Sequence, residues 1–365
     1  MTAAPATATA TATAIAPAIA GPIPTLIAGD RFVLNGLLRD ALEAELPGRL
    51  ALAEHEYGWP IEPFGPVAEV QEAAGTEEEL LALLPGVRVV VTEMAAMTGR
   101  VIAEAEALEL IVVCRGGPVN VNLAAATARN IPVCYTPARN ASATAEYTVG
   151  LILAAMRRLA EGHKDLAQGR WRGDFYAYAD AGSELEGKTV GLVGFGAVGS
   201  RVAKVMSAFG AEVLVADPYV DPAQAEAVGA TVVPLTELLP RAQVLSLHAR
   251  LTPETRHIVG RAEIARLPHG AVLVNSARGG LLDYDALCDA LESGHLRAAA
   301  LDVYDPEPPP PGSRLFSAPN LTLSPHIAGA SRETAERAAL IAAGEVGRWA
   351  RGEPLRFVAN REVVA

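Results

Sequence analysis

The sequence predicts an α/β protein built from two doubly wound parallel-sheet domains. Its 365 residues exceed what one hydrophobic core usually organises. From Lys188 onward short β-branched runs recur between helical stretches, and the segment from Pro24 to Val133 repeats that rhythm less regularly. Such spacing is that of βαβ units, which place their strands in a parallel sheet. With 50% hydrophobic and 20% charged residues, the body of the chain has the composition of a packed globular protein.

Taken in order, residues 1–22 alternate Ala and Thr with a few Pro, without the basic start and compact apolar stretch of a secretory signal. A disordered tail is expected there. The runs VRVVV from Val87 and LIVVC from Leu110 are strands of the first domain, separated by Ala/Glu-rich helices. Ser142 to Leu159 is unbroken by Pro and strongly helical in propensity. Its most apolar run, Tyr147 to Met156, stops at Arg157 and Arg158, too short to cross a bilayer, so a buried helix bridging the two domains is expected. The larger domain draws its strands from KTVGLV at Lys188, EVLVA at Glu212, VLSL at Val244, AVLV at Ala271, AAALD at Ala298 and LTLS at Leu321. A second long helix, Ser331 to Arg351, then returns the chain to the first domain. That domain is therefore discontinuous, expected at 23–140 and 326–365, with 141–325 inserted.

Charge narrows the partners. A net charge of −12 argues against nucleic acid or an anionic membrane surface, both of which need a dense basic face. Small molecules are the expected partners. Cys114, Cys134 and Cys288 are widely spaced, lie among apolar residues and form no C-x-x-C pair, so no metal site is expected and a reducing cytoplasm is.

Gly194, Gly196 and Gly199 form GFGAVG directly after the strand KTVGLV and before the helical stretch Ala197 to Phe209. Among 33 glycines such a motif could arise by chance, but its place between strand and helix gives each glycine a task. The first permits a tight turn, the second lets a pyrophosphate approach the backbone, and the third brings helix close to strand. The amides of Ala197 and Val198 would then face phosphates at the positive end of a helix. Asp217 closes EVLVAD at roughly the 20-residue distance at which the fingerprint requires an acid for the adenosine ribose. Pro218 and Tyr219 follow it in place of a basic residue, so NAD is expected over NADP.

A nicotinamide enzyme acting on a 2-oxo acid needs a cation for the carboxylate and ketone and an acid for the carbonyl oxygen. Arg278 in VNSARGG, Glu307 in LDVYDPEPPPP and His326 in LTLSPHIAG each follow a strand and so emerge at the carboxyl edge of the sheet, where open α/β folds bind ligands. Arginine's planar fork can grip carboxylate and carbonyl together. A Glu beside a His would raise the imidazole pKa and keep its acid form available at neutral pH. Each residue alone is ordinary; their succession along one sheet is not.

ELEGKTVGLVGFGAVG, LHARLTPETRHIVG, VNSARGGLLDYDAL, AALDVYDPEP and LSPHIAG, in this order, make the chain resemble the D-isomer specific 2-hydroxyacid dehydrogenases over nearly everything after the tail. The resemblance implies a Rossmann NAD-binding domain within a smaller flavodoxin-like substrate-binding domain. It also implies Arg278 as the substrate-anchoring cation, His326 as general acid/base and Glu307 as its partner. Ser276 and Asp302 would help seat the nicotinamide end, and the protein would be a homodimer paired through its cofactor domains. The implied activity is interconversion of a 2-oxo acid and a D-2-hydroxy acid, without the regulatory domain of some phosphoglycerate dehydrogenases.

One loop departs from the family pattern. CRGGPVNVNL is shorter than the usual loop and carries Asn122 where the family's last Asp stands. In the family this loop holds the substrate carboxylate through backbone amides, a role open to Gly116 and Gly117 but closed to Pro118, which has no N–H. Arg115 and Arg139 flank turns of the smaller domain, so a substrate with a second anionic group is a further expectation, set against a purely structural role for both. The rival readings are a non-catalytic NADH-sensing scaffold, against which the Arg/Glu/His set argues, and another Rossmann enzyme such as an adenosylhomocysteine hydrolase, whose other motifs are absent.

Overall fold

The computed structural model describes residues 21–364. The expected tail, apart from its last two residues, lies outside them. The chain divides into two compact units, one formed by residues up to Pro137 together with Ala335–Ala365, the other by Ala138–Thr334.

The first unit is a five-stranded parallel sheet of β1 (Ile23–Gly29), β2 (Leu50–Glu56), β3 (Val89–Thr92), β4 (Leu110–Val113) and β5 (Val133–Tyr135), in the order β2-β1-β3-β4-β5. That is the flavodoxin-like order. β3 and β4 are buried throughout, as a sheet covered on both faces requires. The C-terminal segment belongs here for a physical reason. Ala335, Ala338, Ala342 and Val346 of the helix Arg332–Ala350 pack on Ile23, Ile27 and Val89. Beyond it the chain runs beside β5, with the Tyr135 N–H donating to the Phe357 carbonyl at 3.0 Å and the Ala359 N–H to the Val133 carbonyl at 2.8 Å.

The second unit is a seven-stranded parallel sheet of β6 (Thr189–Val193), β7 (Glu212–Ala216), β8 (Ala230–Val232), β9 (Val244–Leu247), β10 (Ala271–Asn275), β11 (Leu296–Leu301) and β12 (Leu321–Leu323). Its order, β12-β11-β10-β9-β6-β7-β8, reverses between β6 and β9. This is the Rossmann arrangement, and the reversal marks the crevice where dinucleotides bind. The helix Ala141–Arg157 buries Leu151, Ile152, Ala155 and Met156 against Val190, Val202 and Val272 of this unit.

Four differences from the sequence-based expectations have local causes. β1 and β5 were not anticipated because β1 is buried at six of seven positions, leaving no alternation to read, and β5 has three residues. β2 and β8 are edge strands, of seven and three residues. The helix expected over 142–159 stops at Arg157, because Arg158 takes a left-handed φ of 55° and a separate helix, Leu159–Ala167, follows. The division falls at 138 and 334, so that Arg139 and the loop after β12, both expected in the smaller domain, lie in the second unit. Hydrogen bonds from that loop to Asp302 hold it there. Among the described residues no helix is long and apolar enough to cross a membrane.

Candidate active site

The glycine turn sits at the switch point of the second unit, between β6 and the helix Gly199–Ala208. Gly194 has a φ of 100°, and a Cβ there would lie 2.7 Å from the Ala249 nitrogen. A Cβ on Gly199 would lie 2.4 Å from the Gly194 carbonyl oxygen. Both glycines are thus required by close backbone approach within the protein. Gly196 differs, since a Cβ on it would meet nothing within 4 Å. Its side faces open space, as a position reserved for an approaching phosphate should. Among the described residues no main-chain acceptor is paired with the N–H groups of Ala197 or Val198, which stand ahead of the helix as an anion site.

Asp217 follows β7 directly. Its Oδ2 accepts from the Phe195 N–H at 2.8 Å and its Oδ1 from the Tyr219 N–H at 2.9 Å. The carboxylate is tied to the glycine turn by its own backbone contacts, while each oxygen keeps a second lone pair for a hydroxyl. Turn, amides and acid together fit a dinucleotide.

Arg278, Glu307 and His326 follow β10, β11 and β12 respectively. Arg278 is exposed, and its loop is shaped by Asn275, whose amide donates to the Arg278 carbonyl at 2.9 Å and whose Oδ1 accepts from the Ala277 N–H at 3.1 Å. His326 Nδ1 lies 2.9 Å from Glu307 Oε2. The Glu307 hydrogen bond raises the imidazole pKa above its ordinary value, aided by the Glu307 and Asp302 charges and opposed by burial and by Arg278. The structure therefore brings the histidine and glutamate into contact and puts the arginine close enough to be felt electrostatically.

His326 itself has a φ of 52°, a left-handed conformation that persists in a non-glycine residue only when its surroundings impose it. The surroundings are visible. Asp302 is fully buried; its Oδ1 accepts from Ser324 Oγ at 2.6 Å and the Ile327 N–H at 3.0 Å, its Oδ2 from the Ala328 N–H at 2.7 Å. Tyr304, whose phenol burial pushes up to about 12, donates to the Ser324 carbonyl at 2.8 Å. Asp302 and Tyr304 clamp the loop on both sides of the histidine. Nothing in the sequence beyond the position of both residues at the end of β11 signals this.

Ser276 is buried, its Oγ 2.6 Å from Thr148 Oγ1, which donates in turn to the Thr144 carbonyl at 2.6 Å. With the threonine proton so engaged, Ser276 donates to Thr148 and keeps its lone pairs. Thr148 escaped the sequence reading because a threonine inside an apolar helix resembles core.

The substrate-side expectations lie apart in the chain. In the first unit Arg115 forms an ion pair with Glu72 and donates to the Glu72 carbonyl at 3.1 Å, so its charge is met by a carboxylate. Gly116 and Gly117 follow on the same loop, and a Cβ on either would meet nothing within 4 Å. Asn122, the departure from the family pattern, caps the helix Leu123–Ala128 by accepting from the Ala125 N–H at 3.0 Å, a task Asn and Asp perform equally well. Arg139, half-buried, precedes the helix Ala141–Arg157 in the second unit. Among the described residues no group of His, Cys, Asp and Glu could hold a metal ion.

Residues 149–328 match the family described as D-isomer specific 2-hydroxyacid dehydrogenase, NAD binding domain. A D-3-phosphoglycerate dehydrogenase of Methanocaldococcus jannaschii is 40% identical over 298 residues, covering 80% of this chain and 56% of that protein. A glyoxylate reductase of Aeropyrum pernix is 38% identical over 266 residues, covering 72% and 79%. The TT0316 protein of Thermus thermophilus superposes with a TM-score of 0.76 at 33% identity, over 92% of this chain and 99% of that one. The chain spans about half the length of the phosphoglycerate dehydrogenases it matches, 52–56%. With the glycine turn, its acid and the Arg/Glu/His set in family order on a shared fold, the chain belongs to the D-isomer specific 2-hydroxyacid dehydrogenases.

Proposed function

We propose that the protein is an NAD-dependent oxidoreductase that interconverts a 2-oxo acid and a D-2-hydroxy acid. The observation that carries this reading is the His326–Glu307 contact at 2.9 Å, on the sheet whose switch point bears the glycine turn. The bound nicotinamide supplies or accepts the hydride at C2. Arg278 anchors the carboxylate and polarises the carbonyl. With His326 Nδ1 held by Glu307, the proton delivered to the carbonyl oxygen leaves from Nε2; in oxidation the neutral ring takes it back. Ser276 and Asp302 seat the nicotinamide end, and Gly116 and Gly117 present amides to the substrate carboxylate. A panel of 2-oxo acids assayed with NADH tests the reading, and consumption of NADH with none of them would refute it.

Cofactor choice rests on Asp217. Its fixed carboxylate would accept ribose hydroxyls and repel a 2′-phosphate. Asp217→Ala is expected to weaken NADH binding and relax discrimination against NADPH in a comparison of kcat/KM for the two cofactors. A wild-type enzyme using both equally would contradict the assignment.

The Arg115–Glu72 pair bears on the substrate. A guanidinium already neutralised by a carboxylate is a loop tie rather than a reserve for a second anion. Arg115→Ala is expected to raise the KM for pyruvate and for a dianionic 2-oxo acid alike; a rise confined to the dianion would restore Arg115 to the substrate.

A homodimer in a reducing cytoplasm completes the proposal. Leu159, Leu166, Trp171, Tyr176 and Tyr178 are exposed within residues 159–178 of the cofactor unit, apolar side chains that a second protomer would cover. The three cysteines are buried and form no disulfide.

A further inference from the structure

The loop that carries Glu307 is held by side chains. Pro306 and Pro308 to Pro311 have no N–H, and among the described residues no main-chain acceptor is paired with an N–H from Val303 to Gly312. Three side-chain ties take the place of backbone pairing there. Tyr304 donates to the Ser324 carbonyl at 2.8 Å, Arg256 Nη2 donates to Asp305 Oδ2 at 2.8 Å, and the Tyr284 hydroxyl donates to the Val303 carbonyl at 2.8 Å.

The Tyr284 tie is the one set in the interior. Arg256 and Asp305 are 54 and 37% exposed, and exposed ion pairs do little to hold a loop. Val303 is 1% exposed, so its carbonyl is shut away from water, and a buried carbonyl without a donor is costly. The Tyr284 ring packs against the apolar core of the second unit. It opens the helix Tyr284–Glu292 shortly after Arg278, so its hydrogen bond joins the segment that carries Arg278 to the one that carries Glu307. Burial raises the phenol pKa, with the Glu307 charge next and those of Tyr304 and Asp305 after it, and the hydroxyl therefore stays a donor across the working range.

We propose that Tyr284 is a positioning residue for the acid/base pair: by holding the Val303 carbonyl, its hydroxyl fixes the root of the Glu307 loop and keeps that carboxylate on His326. The inference rests on the reading of His326 and Glu307 as the reacting pair. The charges that act on the imidazole are Glu307, Asp302 and Arg278. Asp302 is locked by Ser324 and by the Ile327 and Ala328 amides, and Arg278 belongs to the segment on which Tyr284 stands. Glu307 is the one set on a loop without backbone pairing, so a loosened loop reaches the imidazole through Glu307.

Titration of the His326 ring, followed by NMR in the full-length protein with His326→Ala to assign its signals, tests this without turnover. Tyr284→Phe keeps the ring in the core and removes the donor. It is expected to move the His326 titration to lower pH by about half a pH unit, roughly a threefold change in proton affinity, in the direction of Glu307→Gln, and to leave the NADH Kd unchanged. In the Glu307→Gln background it should add no further shift, since the carboxylate it positions is gone. Arg256→Gln, which breaks the exposed tie, should move the titration by about half as much or less. An unmoved titration in Tyr284→Phe, even with a lowered Tm, would overturn the inference and leave a structural hydrogen bond. The same shift with and without the Glu307 carboxylate would overturn it too, as would a larger shift from Arg256→Gln. A protein that gives the expected pattern yet reduces no 2-oxo acid would uphold the positioning and refute the proposed activity.

Discussion

His326→Ala is expected to lower kcat by about 10²- to 10⁴-fold, the range general acid/base catalysis supplies, with little change in NADH affinity. The cofactor features, Gly194 to Gly199 and Asp217, lie at β6 and β7, whereas His326 follows β12 at the far edge of the same sheet. Glu307→Gln separates the partner's role from the acid's. The Glu307 hydrogen bond is the largest influence raising the His326 pKa, and reduction requires the protonated ring. Removing the carboxylate's charge lowers that pKa, so the alkaline limb of the reduction profile should move to lower pH and the oxidation profile should gain activity there. Steady-state kinetics across pH 5 to 9, roughly, would show it. An unmoved limb would remove Glu307 from its assigned role.

Gly279→Ala is the second large effect. A Cβ at Gly279 would lie 1.9 Å from the Tyr304 carbonyl oxygen and 2.1 Å from its carbon, and backbone atoms cannot move aside as a side-chain end can. The substitution would force apart the chain segments that carry Arg278 and Glu307. A displacement near 1 Å costs about 10²-fold in rate, and overpacking of this kind destabilises by roughly 1–3 kcal/mol. Gly280→Ala is the control: its Cβ would meet the ends of Arg256 and Leu251 at 2.9 and 3.0 Å, which can rotate away. Thermal unfolding and kcat/KM of the two variants should therefore diverge, and equal behaviour would discard the steric account.

The sequence was most legible where local chemistry is self-contained. The glycine turn, the strand before it and the acid after it could be read because each glycine answers a constraint within a few residues of itself, as Gly194 and Gly199 show. Arg278, Glu307 and His326 were recognisable by their place after strands. What stayed hidden depends on partners distant in the chain. Asp302 was placed at the nicotinamide end, but no local pattern announces that its oxygens hold Ser324, Ile327 and Ala328, more than twenty residues on. Arg115 stood between a substrate cation and a loop tie because Glu72 lies 43 positions before it. Strands were missed for a different reason: β1 is covered at nearly every position, so hydrophobicity there has no period.

The most direct test of the central claim is the fate of the hydride. With NADH deuterated at C4 and the 2-oxo acid the panel finds most active, the account predicts a D-2-hydroxy acid carrying deuterium at C2, formed by wild type and nearly abolished in His326→Ala. NADH that binds while label never reaches C2 would contradict it and leave a cofactor-sensing scaffold in its place.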